Sequence, residues 1–331
     1  MEAENRNSTT DILIVGFSDL PRLQAPLFSM FLLLYLLILS GNFLIVATVL
    51  GTSQLHTPMY FFVTMLSLID ITYTTVVLSP MLAHFFLKDV HVSLTKCLIQ
   101  MHLFVAMAAA EVVLLTVMAY DRYVAICNPL HYHAIMNLAV CIQLALGSWV
   151  GGLMVALPIT IAVSGFSYCG FHTINHFFCD VTAMMKITCT STHMIEIFIY
   201  AIGASLTLAS FILISISYVN IISSIVKIKA KGGSWKAFST SASHLTVVVV
   251  YYASICATYV RPKSAMGDSK ISSLTYIIIS PLCNPIIYSL KNTDFKKALM
   301  KKNNKSWSIR MNNSEQLLST KPTRCLPLPD Q

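Results

Sequence analysis

Charged residues are scarce in this sequence. They make up 11% of its 331 residues, whereas hydrophobic residues make up 56%, and the mean hydropathy is +0.70. A soluble domain carries roughly 25% charged residues. The shortage of charge therefore excludes an ordinary soluble protein and predicts an integral membrane protein.

The ten-residue segments of alternating hydrophobicity that mark a membrane β-barrel are also missing. The apolar runs are continuous instead, and they reach the roughly 20 residues that a helix needs to cross a hydrocarbon core of about 30 Å. We therefore predict an all-α bundle of seven transmembrane helices. The predicted spans are residues 26–50, 58–86, 98–120, 138–162, 196–226, 238–260 and 271–290.

The start of the chain lacks the features of a cleavable signal peptide, which are a basic start, an apolar core and a small-residue cleavage site. We predict that residues 1–25 form an extracellular segment that is translocated intact, and that residues 26–290 form the membrane domain. Residues 291–331 are predicted to form a cytoplasmic tail. Its distal part is low in apolar residues, which is typical of disorder.

Basic residues are shared unevenly between the two sides of this topology. With the N-terminus outside, fourteen of the 22 Lys and Arg residues lie on the inner side with four acids, and eight lie on the outer side with eight acids. This distribution follows the positive-inside rule and argues against a nucleic-acid surface as the reason for the net charge of +8. The inner clusters at 227–236 and 291–305 also suit contact with anionic membrane lipid, although topology alone explains them equally well.

Four of the nine cysteines fall in the predicted outer segments, where disulfides can form. They are Cys97, Cys169, Cys179 and Cys189, and four cysteines allow three pairings. The tight ligand spacing of a zinc site is missing around them. Asn7, in an Asn-Ser-Thr sequon on the outer side, is a predicted glycosylation site.

Two acids, Asp70 and Glu111, lie in the interior of the predicted spans. Ionisable groups inside a membrane are costly enough to indicate a function. At 1.5 Å per helical residue, both carboxylates lie near mid-membrane depth. They could share a sodium ion or a proton, because two nearby acids cannot both ionise easily without one. A structural network with Asn42 and Asn284 is the alternative.

One face of the predicted third helix joins an apolar outer half to an inner charge. Its members step by three or four residues, as positions on one helical face do; they are Phe104, Ala108, Glu111, Leu115, Met118 and Arg122. Core packing produces the same spacing, so the pattern indicates a connection without proving a signal. In the seventh helix, Pro281 and Pro285 are predicted to free backbone carbonyls and to create a place where the helix can bend.

Six motifs occur in order along the chain. They are GN at 41–42, LHTPMYFF at 55–62, MAYDRYVAICNPLHY at 118–132, SY at 217–218, KAFSTSASH at 236–244 and PLCNPIIYSLKN at 281–292. Together they resemble the olfactory receptors, a branch of the rhodopsin-like, class A G-protein-coupled receptors, over about residues 20–300. The resemblance implies a multi-pass plasma-membrane receptor, not an enzyme. Such a receptor binds a small odorant and raises cyclic AMP through a stimulatory G protein.

The resemblance also implies roles for single residues. Asp121 holds Arg122 in the resting state, and Arg122 is freed towards the G protein when helix six swings outward. The other implied switch residues are Tyr123, Tyr218, His244, Asn284, Pro285 and Tyr288. The implied disulfides are Cys97–Cys179 and Cys169–Cys189. Asp70 and Glu111 match the positions proposed for sodium in the family.

The ligand site is predicted from helix facing together with the pocket of the family. The predicted residues are Phe104, Val105, Ala108, Gly203, Leu206, Tyr252, Ile255 and Tyr259. Two tyrosine hydroxyls and no charge favour small, neutral, mostly apolar molecules. Amines are disfavoured, because Phe104 stands where the aminergic receptors have an acid. Copper or thiol sensing near Met101 and His102 is a further interpretation.

Other classes of function fit the sequence less well. A transporter needs inverted repeats or two matching broken helices, and the sequence has no internal repeat. A membrane enzyme needs a nucleophile with a base, and no His lies at the depth of Asp70 and Glu111. A non-olfactory class A receptor for small molecules is the nearer alternative, from which the LHTPMYFF and KAFSTSASH motifs distinguish the chain.

Overall fold

The structure, a computed structural model, describes residues 11–17, 21–86, 90–168, 173–229, 235–259, 269–290 and 295–301. Seven long helices account for most of these residues. They are α1 (Gln24–Leu50), α2 (Pro58–His84), α3 (Leu94–Cys127), α4 (Leu138–Ser164), α5 (His193–Lys229), α6 (Trp235–Tyr259) and α7 (Ser269–Leu290). Shorter helices lie at Tyr132–Ile135, at Val181–Lys186 and at 295–301.

Helices α1 to α5 are each long and apolar enough to cross a membrane, and α6 and α7 contain shorter apolar stretches at Ser241–Cys256 and Ile277–Ser289. The apolar stretches of α2 and α3 are 61% and 56% buried, whereas that of α5 is 11% buried. Helices α2 and α3 therefore form the centre of the bundle. The exposed apolar side chains of α1, α4 and α5 form the surface that faces lipid.

The prediction of seven helices is confirmed, and six of the predicted spans agree with the structure to within three residues at each end. The predicted limits of the third helix, 98–120, are wrong. Helix α3 begins at Leu94 and continues to Cys127. Asp121 and Arg122 do not end the helix, because their charges pair with each other within it.

Helix α4 packs closely against α3 at Gly152. A Cβ atom at this position would lie 2.3 Å from the carbonyl oxygen of Ala106 and 2.9 Å from the Cβ of Ala110. Small residues at a helix interface let two backbones approach in a membrane. Gly152 therefore sets the distance between the two helices, next to the helix that carries most of the predicted site.

The GN motif explains how α1 meets the proline-containing helix α7. A Cβ at Gly41 would lie 3.0 Å from the Cβ of Pro285, so glycine makes room for the proline ring. Pro285 has no N–H to donate to the carbonyl of Pro281, four residues earlier. Asn42 Nδ2 donates to that carbonyl at 3.1 Å and to the Ile38 carbonyl at 3.0 Å. Helix α7 is thus continuous, and its freed carbonyl is satisfied by α1.

A three-stranded sheet covers the outer end of the bundle. It contains β1 (Asp11–Ile14), β2 (Val90–Ser93) and β3 (Thr173–Ile174) in the order β2-β1-β3. β1 pairs antiparallel with β2 and parallel with β3. Ile12 and Ile14 of β1 are buried. The sequence analysis missed this sheet and treated residues 1–25 only as an extracellular segment.

The outer loop between α4 and α5 is bonded to α3. A disulfide joins Cys97 to Cys179, with 5.3 Å between the Cα atoms, which confirms this pairing. Cys189 is also disulfide-bonded. Its expected partner Cys169 lies outside the described residues, as do the predicted glycosylation site Asn7 and the tail beyond residue 301.

Candidate functional site

The inner part of α3 holds an ion pair within the bundle. Arg122 Nε donates to Asp121 Oδ2 at 2.8 Å, and Arg122 Nη2 contacts the same oxygen. The Asp121 side chain is 1% exposed and the Arg122 side chain 13%. A buried pair depends on both partners, because removal of one leaves an uncompensated charge. In this conformation Asp121, the preceding residue of α3, neutralises the charge of Arg122.

A second donor to Asp121 comes from the inner loop. The hydroxyl of Tyr132 donates to Asp121 Oδ1 at 2.8 Å. Burial, and then the neighbouring Asp121 carboxylate, raises the pKa of Tyr132 far above its usual value, so this hydroxyl keeps its proton. The sequence analysis missed this role. The turn at Pro129–His131 brings Tyr132 back to α3, and motif spacing does not reveal that return.

Helices α5 and α6 are linked at the same inner end. The hydroxyl of Tyr218 donates to the Ser241 carbonyl at 3.2 Å and shares a hydrogen bond of 2.6 Å with His244 Nδ1. The two rings are stacked with centroids 5.9 Å apart. This contact fastens the cytoplasmic half of α6 to α5.

The ion pair and the α6 histidine border one inner pocket. Its lining residues are Met59, Met118, Asp121, Arg122, His244 and Tyr288, and no space for a water molecule remains between them. Tyr123 lies apart from this group, half-buried, with its ring 6.4 Å from that of Tyr120. The structure therefore brings five predicted switch residues together (Asp121, Arg122, Tyr218, His244 and Tyr288). It leaves three outside this group, namely Tyr123, Asn284, which contacts Asp70, and Pro285, which lies against Gly41.

The two intramembrane acids are buried in the middle of the bundle, and each accepts a hydrogen bond from α7. Asn284 Nδ2 donates to Asp70 Oδ2 at 2.9 Å, and the Ser280 hydroxyl donates to Glu111 Oε1 at 2.6 Å. Asp70 Oδ1 is buried and has no hydrogen-bond partner among the described residues. The network alternative was right about Asn284. It was wrong about Asn42, whose amide donates to backbone carbonyls instead.

Soft-metal ligands do not assemble in the described part of the chain, where no group of three or more His, Cys, Asp or Glu residues could hold a metal ion. His102 Nδ1 is hydrogen-bonded to Thr160 Oγ1 at 2.9 Å, and Met101 is fully buried. Of the two residues named for copper sensing, His102 is thus bonded to α4 and Met101 is packed in the core.

Most of the predicted ligand residues lie at the outer half of the bundle. Six of them are half-buried and pack against the larger cluster of buried hydrophobic residues in the bundle. They are Phe104, Val105, Ala108, Leu206, Tyr252 and Ile255. Gly203 is exposed, and a Cβ there would meet no atom within 4 Å, so the structure does not bring it into this group. The side chain of Tyr259 lies outside the described residues.

Two aromatic residues that the sequence analysis missed flank Phe104. The ring of Phe104 lies 5.1 Å from that of Tyr73 on α2 and 4.9 Å from that of Phe178 in the outer loop. Phe178 immediately precedes Cys179 of the disulfide, and this position in the sequence could have predicted that Phe178 lies near α3. The outer side of the candidate ligand site is therefore aromatic and contains no charged side chain among these residues.

Polar contacts join three helices between the outer group and the inner pocket. The Thr116 and Ser210 hydroxyls are hydrogen-bonded at 2.5 Å, and Ser210 Oγ also donates to the Val112 carbonyl at 3.3 Å. The hydroxyl of Tyr252 donates to the Thr207 carbonyl at 3.4 Å. These bonds connect α3 with α5, and α6 with α5, below the candidate ligand residues.

Proteins of one family are similar to this chain over nearly its whole length. A family profile described as "Olfactory receptor" matches residues 31–305. Human olfactory receptor 2D2 is 42% identical over 301 residues, which are 91% of this chain and 98% of that protein. Human olfactory receptor 6F1 is 41% identical over 304 residues, or 91% and 99% of the two chains. Rat olfactory receptor 226 is 41% identical over 306 residues, or 90% and 94%.

Proposed function

This chain belongs to the olfactory receptor family, and we propose here how its residues perform the work of an odorant receptor. As a member it is a multi-pass plasma-membrane receptor that acts through a G protein, and it is not an enzyme. Membership decides against a transporter and against a non-olfactory receptor. The proposal concerns the ligand contacts, the inner switch and the stimulatory class of the G protein.

The observation that carries the proposal is that one continuous helix, α3, connects the candidate ligand site to the inner pocket. Phe104 lies in the outer aromatic group, and Arg122 lies in the inner pocket on the same continuous helix. The two residues are eighteen positions apart, about 27 Å along a helix. A ligand that displaces α3 or its neighbours at Phe104 can therefore change the surroundings of Arg122 without a separate relay.

The ligand is proposed to be small, neutral and mostly apolar. The six half-buried residues offer aromatic and aliphatic surface and one hydroxyl, that of Tyr252, and such sites take apolar ligands with few polar groups. An amine would need an acid beside Phe104. Glu111, the nearest acid along α3, is buried and accepts a hydrogen bond from Ser280.

The switch is proposed to open when α6 moves away from α5. Such a movement would break the hydrogen bonds of Tyr218 to Ser241 and His244, and it would open the inner pocket that His244 shares with Arg122. Arg122 can then leave Asp121 and face the G protein. The hydrogen bond from Tyr132 opposes this step, because it stabilises Asp121 in its resting position.

The test is a screen of volatile compounds on cells that express the receptor with a stimulatory, olfactory-type G protein, with cyclic AMP as the readout. We expect at least one compound of the neutral, apolar class to raise cyclic AMP. Arg122→Ala should abolish the response at a detectable surface level. Arg22→Ala, at an exposed arginine of the outer side, is the matched control. An unchanged response in Arg122→Ala would remove this arginine from the mechanism.

A sodium ion at the buried acids is a further part of the proposal. Carboxylate and hydroxyl oxygens suit a hard cation, and Asp70, Glu111 and Ser280 supply them, with Asp70 Oδ1 free of other described partners. A bound cation would supply the positive charge that two buried carboxylates otherwise lack. These residues would hold it, and in doing so would tie α2, α3 and α7 together.

Replacing extracellular sodium by N-methylglucamine tests this site. We expect the agonist concentration for half-maximal cyclic AMP to fall several-fold in the wild type, because a cation that ties three helices together stabilises the resting bundle. Asp70→Asn should show no such change. Asp180→Asn, an acid of the outer loop, should respond as the wild type does. Equal sodium dependence of Asp70→Asn and the wild type would rule the site out.

A further inference from the structure

We infer that residues 11–17, before the first helix, act as a strap that holds Phe178 against the ligand site, and that Phe178 sets which ligands fit there. The inference rests on the proposed location of the ligand beside Phe104. It adds a specificity-determining residue, Phe178, and a positioning residue, Phe17, neither of which belongs to the six motifs quoted from the sequence. The term strap denotes residues 11–17 below.

The strap is bonded to the outer loop by its backbone. Strand β1 pairs with β3, and beyond the strand the Val15 N–H donates to the Ile174 carbonyl at 3.0 Å. The Gly16 N–H then donates to the His176 carbonyl at 3.1 Å. Gly16 has φ +56°, which glycine adopts without a steric penalty. The chain can therefore turn at Gly16 and place Phe17 among the helices.

Phe17 is the side chain that fixes the strap to the bundle. Its ring stacks on those of Phe31, Phe85 and Phe177, with centroids 5.7, 6.0 and 5.9 Å apart. The first partner belongs to α1, the second caps α2, and the third belongs to the outer loop. One ring thus joins the strap, two helices and the loop, in offset arrangements that aromatic rings prefer.

The same series of rings continues to the ligand site. Phe177 and Phe178 are 0% and 1% exposed, and their centroids are 5.1 Å apart. Phe178 then contacts Phe104 at 4.9 Å, and Phe104 contacts Tyr73 at 5.1 Å. A ligand that rests on the outer side of Phe104 must therefore meet or displace Phe178. The position of Phe178 limits the length of ligand that fits.

The other side of Phe178 is anchored differently. Cys179 is joined to Cys97 by the disulfide, and its N–H donates to Gln100 Oε1 at 3.0 Å. Gln100 Nε2 in turn donates to the Val76 carbonyl at 2.9 Å. Phe178 is thus held covalently on one side, and on the other side the strap and the ring contacts of Phe178 hold it among the described residues. Loosening the strap should let residues 174–178 lift while Cys179 stays in place.

The first experiment measures access to the ligand site without any odorant. Ala108→Cys is labelled from outside intact cells with a charged methanethiosulfonate reagent, and the parent without this cysteine gives the background. We expect Phe17→Ala to raise the labelling rate about tenfold, since a local opening of this kind changes populations by such factors. Phe28→Ala is the matched control, because the Phe28 ring contacts the rings of Phe85 and Phe86 and, among the described residues, no ring of the outer loop. Equal rates in Phe17→Ala and Phe28→Ala would overturn the strap.

The second experiment measures selectivity with the straight-chain aldehydes from pentanal to dodecanal as probes. We expect Phe178→Ala to move the most potent aldehyde roughly two methylene groups longer, because truncation of a buried ring leaves space that a longer chain can fill. Phe17→Ala should move it in the same direction and Phe28→Ala should not. An unchanged optimum in Phe178→Ala would overturn its role in specificity.

The two experiments separate failure of this inference from failure of the proposed ligand class. If no aldehyde activates any variant, the ligand class is wrong, and the labelling rates still decide whether the strap covers Ala108. Phe17→Leu keeps an apolar side chain and removes the ring stacking. If Phe17→Ala does not reach the cell surface, we expect Phe17→Leu to raise the labelling rate above that of Phe28→Ala, and an unchanged rate there also overturns the strap.

Discussion

At the scale of single residues, Asp121 is the point on which the inner switch depends. It accepts from Arg122 through Oδ2 and from Tyr132 through Oδ1. Both oxygens of a buried carboxylate are thereby satisfied by donors from two different segments. A mutation at Arg122 removes the residue that is proposed to face the G protein. A mutation at Tyr132 removes only the hydrogen bond that opposes the release of Arg122 from Asp121.

Tyr132→Phe should therefore raise cyclic AMP in the absence of ligand. A hydrogen bond to a charged acceptor contributes about 1.5–3 kcal/mol, so its loss should increase a small active population roughly tenfold or more. Cyclic AMP is measured at matched surface expression. Tyr120→Phe, at an exposed tyrosine of α3, is the control. A basal signal equal to that of the wild type would show that Tyr132 does not stabilise the resting state.

At the scale of the helices, the contact of α1 with α7 stabilises the bundle, and its loss should lower the free energy of unfolding measurably. Asn42→Ala leaves the Pro281 carbonyl, freed by Pro285, without its side-chain donor. A buried acceptor left without a donor costs about 1–3 kcal/mol, so the purified variant should unfold at a lower temperature. Ser40→Ala is the control, because Ser40 is exposed and donates only within α1. The same unfolding temperature in both variants would contradict this account.

The helices themselves were predictable and the outer covering was not. Long apolar runs predict six of the seven helices to within three residues at each end, because spanning a membrane requires length and apolar surface together. Strand β1 has four residues, and its partners are 76 to 160 positions away along the chain. The contacts of Phe178 and Tyr132 are also hard to predict, because an outer loop places Phe178 and a turn places Tyr132. Sequence patterns report local periodicity, and these contacts are not local.

At the scale of the whole molecule, the distribution of basic residues predicts the orientation of the bundle. Fourteen of the 22 Lys and Arg residues lie on the side that should face the cytoplasm. An epitope at the N-terminus should therefore bind antibody on intact cells, and one at the C-terminus only after permeabilisation. Detection of both on intact cells would contradict an odd number of membrane crossings.

Helix α5 has a consequence for the membrane around the receptor. Its 37 residues extend about 55 Å, nearly twice the depth of a hydrocarbon core, and only 11% of its apolar stretch is covered by protein. The exposed surface of such a helix contacts lipid acyl chains at any tilt. The tilt of the helix therefore follows the thickness of the bilayer. Tyr218 and Ser210 belong to this helix and move when it tilts. Odorant sensitivity should thus vary between thin and thick membranes even when no residue of the receptor differs.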